Sequence, residues 1–216
     1  MNHLLRSLFV IAFSSLFFFF SCEKKVPSKT LTLQPAQNPT EVHIFGGEGI
    51  DQSTPGAPEI LGGAGTYYGS PVFIRAALKF DMSAIPNDAI IQSAKLTLYS
   101  NPTPLNGQEG NANSGLNNAL LIQRIVDSWT ASQVNWTNQP AVTTSGEIVV
   151  PHTSESFKDI KDLDVTDLVK KMHNSGNFGF LIRLQTEQPY NFRIFCSSKY
   201  TDATKHPKLE IKYKED

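Results

Sequence analysis

The chain has 216 residues, 40% of them hydrophobic and 18% charged, with 19 basic and 20 acidic side chains. This near-neutral balance argues against a general nucleic-acid binder, because such proteins carry a basic face or stripe. A chain of this length can bury a sizeable core within one domain.

Residues 1–21 have the pattern of an export signal. Arg6 supplies a weakly basic start, Leu8–Phe20 is an uncharged apolar run, and Ser21-Cys22 closes it. The apolar run has 13 residues, whereas an ordinary membrane-spanning helix needs ~20. A plain secretory peptide that is cleaved nearby, with Cys22 incidental, stays open as an alternative.

The end of this signal, Phe19-Phe20-Ser21-Cys22, resembles the lipobox of bacterial lipoproteins. The resemblance implies that Cys22 becomes the first residue of the mature chain and carries the acyl chains that anchor it to a membrane. Glu23 follows in place of the aspartate that favours retention in the inner membrane. We therefore expect a Gram-negative outer-membrane lipoprotein, and the sequence leaves open whether it faces the periplasm or the cell surface.

Removal of residues 1–21 takes away one charged side chain, Arg6, and leaves 195 residues with 18 basic and 20 acidic side chains. We predict a lipidated cysteine and tether over residues 22–38, and one β-sandwich domain over residues 39–216. The tether is polar and contains prolines, and an edge strand is expected near Leu31-Thr32-Leu33.

Two long segments predict loops. Residues 46–69 contain eight of the 14 glycines of the chain, together with two prolines, which favours a long loop over a strand. Residues 101–118 are rich in asparagine and glycine and nearly free of apolar side chains, which is typical of a surface loop.

The segment Arg75–Tyr99 shows the clearest strand pattern. Apolar side chains recur at every second position in two runs, Ala76, Leu78, Phe80 and Met82, then Ala94, Leu96 and Leu98. A period of two is typical of strands with one buried face, and Ile85-Pro86-Asn87-Asp88 predicts a turn between them. Further strand patterns lie at 119–125, 147–150, 179–186, 191–197 and 209–213.

One helix interrupts the strands, near residues 166–175. Thr166 is the expected N-cap, Leu168, Val169 and Met172 form an apolar stripe, and Gly176 can end the helix. Many short strands with Gly/Pro turns and a single helix predict an all-β protein, a two-sheet β-sandwich or jelly roll.

Several motifs in consistent order resemble the DNRLRE domain family over about residues 40–214. They are RAALKFDMSAIPNDAIIQSAKLTLY at 75–99, Asp127-Ser128-Trp129, VNWTNQP at 134–140, Leu163-Asp164-Val165-Thr166, Phe178-Gly179-Phe180 and HPKLEI at 206–211. The resemblance implies a non-catalytic β-jelly-roll module of exported proteins, some relatives of which bind acidic polysaccharides.

Candidate ligand-binding residues are aromatics in expected loops and cations on the polar faces of strands. A tyrosine ring can lie on the C–H face of a sugar, and an arginine can pair bidentately with a uronate or sulfate group. The candidates are Tyr67, Tyr68, Arg75, Lys79, Lys95, Arg183, Tyr190 and Tyr200. Tyrosines that only cap the sandwich, and cations that only meet water, remain alternatives. Trp129 and Trp136 are expected to pack rather than bind sugar.

Catalytic and metal-binding motifs are sparse. The five histidines show no HExxH spacing, and the chain has no GxSxG, P-loop or GxGxxG motif. The run Asp159, Asp162, Asp164 and Asp167 does not match an EF-hand loop. A calcium ion held by Glu41, Asp51 or Asp202 stays open, and Cys196 is expected to be a buried, inert thiol.

The sequence thus predicts a lipid-anchored, non-enzymatic envelope protein that binds extracellular polysaccharide, acidic or neutral, as an accessory to glycan capture or degradation. One alternative is a structural or adhesive subunit that packs against another envelope protein through an apolar patch or a free edge strand. A second is a polysaccharide lyase whose Tyr and Arg or Lys side chains converge in one cleft.

Overall fold

The structure is a computed structural model that describes residues 26–35, 40–108 and 110–215. The predicted signal peptide, Cys22 and residues 23–25 and 36–38 of the predicted tether lie outside these ranges. Among the described residues, no helix is both long enough and apolar enough to cross a membrane.

Strands make up most of the regular structure of the described residues. They are β1 (Lys29–Leu33), β2 (Glu41–Gly47), β3 (Ile50–Pro55), β4 (Glu59–Tyr67), β5 (Ser70–Leu78), β6 (Ile90–Leu98), β7 (Asn113–Ser114), β8 (Leu120–Ile125), β9 (Val142–Val150), β10 (Ile160–Asp164), β11 (Phe180–Leu184), β12 (Asn191–Cys196) and β13 (Lys208–Lys214). One α-helix, α1 (Thr166–Ser175), follows β10, and a 3₁₀ turn spans Ala203–Lys205.

The strands form two sheets. The first has the order β1-β13-β6-β10. The second has the order β7-β12-β4-β5-β11-β8-β9, with β2 and β3 extending from β5. The prediction of an all-β, two-sheet sandwich with one short helix is confirmed. The edge strand expected near Leu31 is present as β1, so the first sheet begins before residue 39.

The main core lies between the two sheets and the helix. It contains the alternate apolar residues that the strand pattern predicted, together with Leu168, Val169 and Met172 of α1. The two runs of the Arg75–Tyr99 segment belong to different sheets, since β5 lies in the second and β6 in the first. The turn between them therefore carries the chain across the sandwich.

The start of α1 differs from the prediction in one respect. Thr166 is the first helical residue rather than the N-cap, which is Val165. The Oγ1 of Thr166 accepts a hydrogen bond from the Ala94 N–H at 2.9 Å. The threonine hydroxyl therefore joins the helix to β6 instead of capping its own backbone.

The segment 46–69, expected as a long loop, is mostly strand. It contains the end of β2 and all of β3 and β4. A Cβ atom at Gly46 would lie 1.8 Å from Cδ2 of Trp136, and one at Gly63 would lie 2.4 Å from Cδ1 of Phe192. The loop prediction is wrong because these glycines make room for aromatic rings within a sheet rather than for turns.

Strand β5 is where the second sheet divides. β2 pairs along one edge of β5, whereas the other edge is shared, because β4 pairs with Ser70–Ile74 and β11 pairs with Ala76–Leu78. Gly62 of β4 lies beside the division, where a Cβ atom would come 3.0 Å from the carbonyl carbon of Arg183. The missing side chain lets β4 pass close to β11.

We call the side of β2, β5, β11 and β8 that faces away from the main core the outer face. A second cluster of buried residues lies there, including Val42, Ala77 and Leu181, with Trp129 and Trp136 packed against it. The segment 126–141, which carries both tryptophans, therefore covers part of the outer face. The rest of this face forms the candidate site.

A third cluster of buried residues joins β4 and β12 to the segment 101–118. Ala112 of that segment packs with Leu61, Ile74 and Ile194. The segment is largely loop, as predicted, but it contains the short strand β7, which pairs with β12. It is therefore a packed cover over the sheet rather than a freely solvated loop.

Candidate functional site

A groove of about 440 Å³ lies on the outer face, between β5, β11 and β9 and beside the end of the tryptophan segment. The lining residues that matter here are Arg75, Gln123, Gln139, Val142, Leu181 and Arg183. Leu181 is buried and Val142 half-buried, so they form an apolar floor, while the amides and guanidinium groups supply polar contacts. We call this cavity the outer-face groove. An apolar floor with a few convergent polar groups is typical of ligand sites.

The strand register brings two of the predicted cations together. Ala76 pairs with Ile182 and Ala77 pairs with Leu181. Continuing this antiparallel register by one residue places Arg183 across from Arg75 at the division of the sheet. Like charges in facing positions repel each other, so one of the two arginines needs a compensating partner.

Arg75 has that partner. Its Nε and Nη2 donate to the two carboxylate oxygens of Glu187, each at 2.7 Å, and its Nη1 donates to the Gln139 Oε1 at 2.8 Å. Its guanidinium carbon also lies 4.2 Å from the ring centroid of Trp136. Arg75 therefore shapes one wall of the groove, and its charge is neutralised within the protein.

Arg183 is held differently. Its Nε donates to the Gln123 Oε1 at 3.2 Å and its Nη1 donates to the Leu184 carbonyl oxygen at 3.0 Å. Gln123 is fixed in turn, because its Nε2 donates to Glu147 at 2.7 Å. Within the described part of the chain, Arg183 has no carboxylate partner and its Nη2 makes no hydrogen bond. It is an oriented cation with a donor group left for a ligand.

The two predicted lysines lie elsewhere. Lys79 lines a separate hollow of about 290 Å³ beside Trp129. Lys95 is exposed on β6 of the other sheet, where it pairs with Glu210 and Asp164 in the strand register. Of the four predicted cations, the structure therefore brings only Arg75 and Arg183 into one site.

Three of the four predicted tyrosines gather at one edge of the second sheet. Tyr67, Tyr68 and Tyr190 expose 58%, 94% and 68% of their surface. The Tyr67 and Tyr68 rings contact each other. Tyr190 lies near them because β4 and β12 are antiparallel, so the end of β4 lies beside the start of β12. Tyr200 follows the opposite end of β12 and is half-buried, and its carbonyl oxygen contacts the His206 Nε2 at 2.8 Å.

Both tryptophans pack against protein, as expected. Trp129 donates its Nε1–H to the Phe178 carbonyl oxygen at 2.7 Å. Trp136 lies against Gly46 and beneath the Arg75 guanidinium, with the Phe73 ring stacked 6.0 Å away. Both tryptophans are half-buried, and the Trp136 ring is covered by Arg75 and Phe73. Neither tryptophan lines the outer-face groove.

The carboxylates considered for calcium are separated and already bonded. Buried Glu41 accepts hydrogen bonds from Ser198, Asp51 accepts the Thr137 N–H at 3.0 Å, and Asp202 accepts the Thr204 N–H at 3.0 Å. In residues 26–35, 40–108 and 110–215 no three His, Cys, Asp or Glu side chains cluster in a way that could hold a metal ion.

Burial determines the protonation state of the Cys196 thiol. The side chain is fully buried and its Sγ contacts the Ser100 carbonyl oxygen at 3.9 Å. Burial raises the pKa of this thiol to about 11, which keeps it protonated at neutral pH. The expectation that Cys196 is buried is confirmed, and its inertness stays a prediction that the raised pKa supports.

The model of carbohydrate-binding module family 96 matches residues 73–213. The chain belongs to carbohydrate-binding module family 96. No curated protein matches it. The family assignment supports the carbohydrate-binding part of the DNRLRE resemblance, while the narrower DNRLRE assignment stays a prediction.

All the named groove residues lie within the part of this family 96 module that the family model matches. Gln123, Gln139 and Glu187 were not among the residues predicted from the sequence. Gln139 stands in the VNWTNQP motif and Gln123 is a polar residue within the apolar strand pattern at 119–125, so both carried a weak signal. Glu187 carried none, because its role depends on a contact with a residue 112 positions away.

Proposed function

We propose that this family 96 module captures extracellular polysaccharide that bears carboxylate or sulfate groups, and that it binds the polysaccharide in the outer-face groove without catalysing a reaction. The observation that carries the proposal is Arg183, a cation oriented by Gln123 with Nη2 unoccupied above an apolar floor. A uronate residue offers a carboxylate to the guanidinium and a C–H face to Leu181 and Val142.

The compensation of Arg75 supports the same proposal. With Glu187 paired to Arg75, a bound carboxylate meets one uncompensated cation in the groove rather than two. Arg75 and Gln139 then act as fixed walls. Specificity for a sugar would come from the distance between the Arg183 donor and the apolar floor, which the carboxylate and the C–H face of one sugar must match.

Two arrangements support a binding role over the rival functions. The residues around the groove include no tyrosine, and those around the tyrosine-lined pocket include no arginine or lysine, so the described residues do not assemble a Tyr–Arg lyase site in either. The pairing of edge strand β9 with β8 shifts register between Ile122 and Arg124, and β9 has a glycine, Gly146, near its middle. Such irregularities protect an edge against pairing with another protein.

The test is affinity electrophoresis of the purified full-length chain through gels that contain polygalacturonate, dextran sulfate or neutral dextran, with and without calcium. We expect retardation by at least one of the two charged polymers, weakened by salt. Arg183→Gln should lower the affinity for the charged polymer about tenfold or more, because it removes one charge-assisted hydrogen bond. The matched control is Lys95→Gln, which removes a cation from the opposite sheet. Equal retardation of wild type and Arg183→Gln would contradict the groove assignment.

We also propose that Cys22 is lipidated and holds the module at the outer membrane as an accessory to glycan capture or degradation. The supporting observation is the lipobox-like Phe19-Phe20-Ser21-Cys22. Metabolic labelling with a radioactive fatty acid, followed by membrane fractionation, tests it. Cys22→Ala should lose both label and membrane association, whereas Cys196→Ala should keep them; label that persists in Cys22→Ala would contradict it.

A further inference from the structure

The three clustered tyrosines, Tyr67, Tyr68 and Tyr190, form what we call the tyrosine tip. Tyr67 ends β4 and Tyr68 follows in the turn that leads to β5. The backbone N–H of Tyr190 donates to the Ala64 carbonyl oxygen at 2.7 Å, and its hydroxyl lies 3.3 Å from the Thr66 Oγ1. Two separate chain segments therefore hold the tip in place.

The backbone at the tip is held in an unusual conformation. Tyr68 has φ 48° and Tyr190 has φ 67°, and they are two of the three non-glycine residues with positive φ in the described chain. This region is unfavourable for a residue with a bulky side chain, and such strain concentrates at ligand sites. Neither ring gains burial in return, since both are largely exposed.

The rings are arranged as a corner rather than as a stack. The Tyr67 and Tyr68 rings lie 4.5 Å apart at an interplanar angle of 67°. A corner leaves ring faces open to an outside group, whereas a parallel stack would cover them. Exposed aromatic faces with hydroxyl groups at their edges suit the C–H faces and hydroxyls of a pyranose ring.

A pocket of about 310 Å³ adjoins the tip, with Tyr67 in its wall. Phe45, Val72 and Ile74 supply apolar surface, and Thr66, Gln52 and Asn106 supply polar groups. None of its lining residues is shared with the outer-face groove. Its volume is at the lower end of the range for small-ligand pockets.

Part of the tip lies outside the segment that the family model matches. Tyr67 and Tyr68, like Phe45 and Gln52 of the pocket, precede residue 73, where the match begins, whereas Tyr190 lies inside it. The named groove residues all lie inside the match. Membership of family 96 therefore does not by itself account for Tyr67 and Tyr68.

We infer that the tyrosine tip is a second carbohydrate site, which stacks on uncharged sugar rings and admits one ring or chain end to the adjoining pocket. This inference goes beyond the groove and does not depend on it, because no charged residue among the described ones lines the pocket. If both sites bind, one module can hold two polysaccharide strands or two regions of one strand, and avidity increases.

The experiment measures retardation of the full-length chain in gels that contain hydroxyethylcellulose, xyloglucan or galactomannan, all uncharged. We expect wild type to be retarded by at least one of them, with little effect of salt. Tyr68→Ala should weaken that retardation about threefold to tenfold, and the triple alanine variant of the tip should abolish it. A threefold to tenfold loss corresponds to about 0.7–1.4 kcal/mol, because each 1.4 kcal/mol changes an affinity tenfold.

Two controls separate the tip from the groove and from misfolding. Tyr68→Phe keeps the aromatic ring and should retain most of the binding. Retained binding in Tyr68→Phe would show that the loss in Tyr68→Ala comes from the missing ring. Arg183→Gln should bind the neutral polymers as wild type does. The inference is overturned if no neutral polymer retards wild type, or if Tyr68→Ala and the triple variant bind as wild type.

Discussion

The guanidinium of Arg75 donates to both carboxylate oxygens of Glu187, each at 2.7 Å, with side-chain exposures of 19% and 17%. The pair joins β5 to the β11–β12 connection, three residues before Tyr190. It neutralises the arginine that the strand register places across from Arg183. A contact between positions 75 and 187 thus decides how much free charge the outer-face groove carries.

Breaking this pair should cost stability. Glu187→Gln leaves a half-buried guanidinium without its counter-charge, and we expect the free energy of unfolding to fall by roughly 1–3 kcal/mol. Urea denaturation of wild type, Glu187→Gln, Arg75→Met and the double variant gives the coupling energy. The control is Lys158→Gln, which breaks the exposed Lys158–Glu155 pair and should leave the midpoint unchanged. Additive losses in the double variant would show that the pair is not coupled.

Gly46 should not tolerate a side chain. A Cβ atom there would lie 1.8 Å from Cδ2 of Trp136, so Gly46→Ala must displace the indole. We expect a loss of roughly 1–3 kcal/mol, as for other overpacked sites. In the background of Trp136→Ala the same substitution should cost much less, because the obstructing ring is gone. If Gly46→Ala lowers the free energy of unfolding equally in wild type and in Trp136→Ala, the clash with the indole is not the cause.

Buried His43 should make stability depend on pH. Burial lowers the pKa of His43 from 6.5 to about 4, and its Nε2 has no hydrogen-bond partner. Because the folded pKa lies below the unfolded one, this histidine stabilises the fold above pH 6.5 and its contribution is lost as the pH falls towards 4.

Chemical denaturation between pH 4 and 8 measures this effect. Burial raises the pKa of nearby Glu41, which acts in the opposite direction at acidic pH, so the comparison is between wild type and His43→Gln. We expect a flatter pH dependence in the variant, whatever its absolute stability. Parallel curves would contradict the assignment to His43.

Glu59 should fix the segment that covers the third cluster. Its buried carboxylate accepts hydrogen bonds from Asn101 Nδ2 at 2.9 Å, the Leu105 N–H at 3.1 Å and Asn106 Nδ2. Glu59→Gln cannot satisfy all three donors, so segment 101–108 should open more often. Limited proteolysis should cleave it several times faster than in wild type. Exposed Glu48→Gln is the matched control, and equal cleavage rates would show that Glu59 does not anchor the segment.

The local patterns of the sequence predicted the framework well. The alternation in Arg75–Tyr99 and in Lys208–Lys214 gave buried strand faces, and the apolar stripe of α1 is buried as expected. These predictions held because each depends on neighbours within a few residues, where backbone periodicity decides which side chains face the core.

Features that depend on distant contacts were harder to predict. Gly46, Gly62 and Gly63 looked like loop residues in the sequence. The reason for these glycines is close packing against Trp136, Arg183 and Phe192, which lie far along the chain. Arg75 and Arg183 were both identified as polar-face cations, but only the register of β5 and β11 shows that they face each other. The partner that distinguishes them, Glu187, follows from tertiary structure alone.

The most direct measurement is a crystal structure of the full-length chain soaked with a tetragalacturonate. We expect a uronate carboxylate about 2.8 Å from Nη2 of Arg183, with the sugar ring over Leu181 and Val142 and the Arg75–Glu187 pair intact. An oligosaccharide that binds away from Arg183, or an empty groove at saturating ligand, would contradict the assignment of the groove as a uronate-binding site.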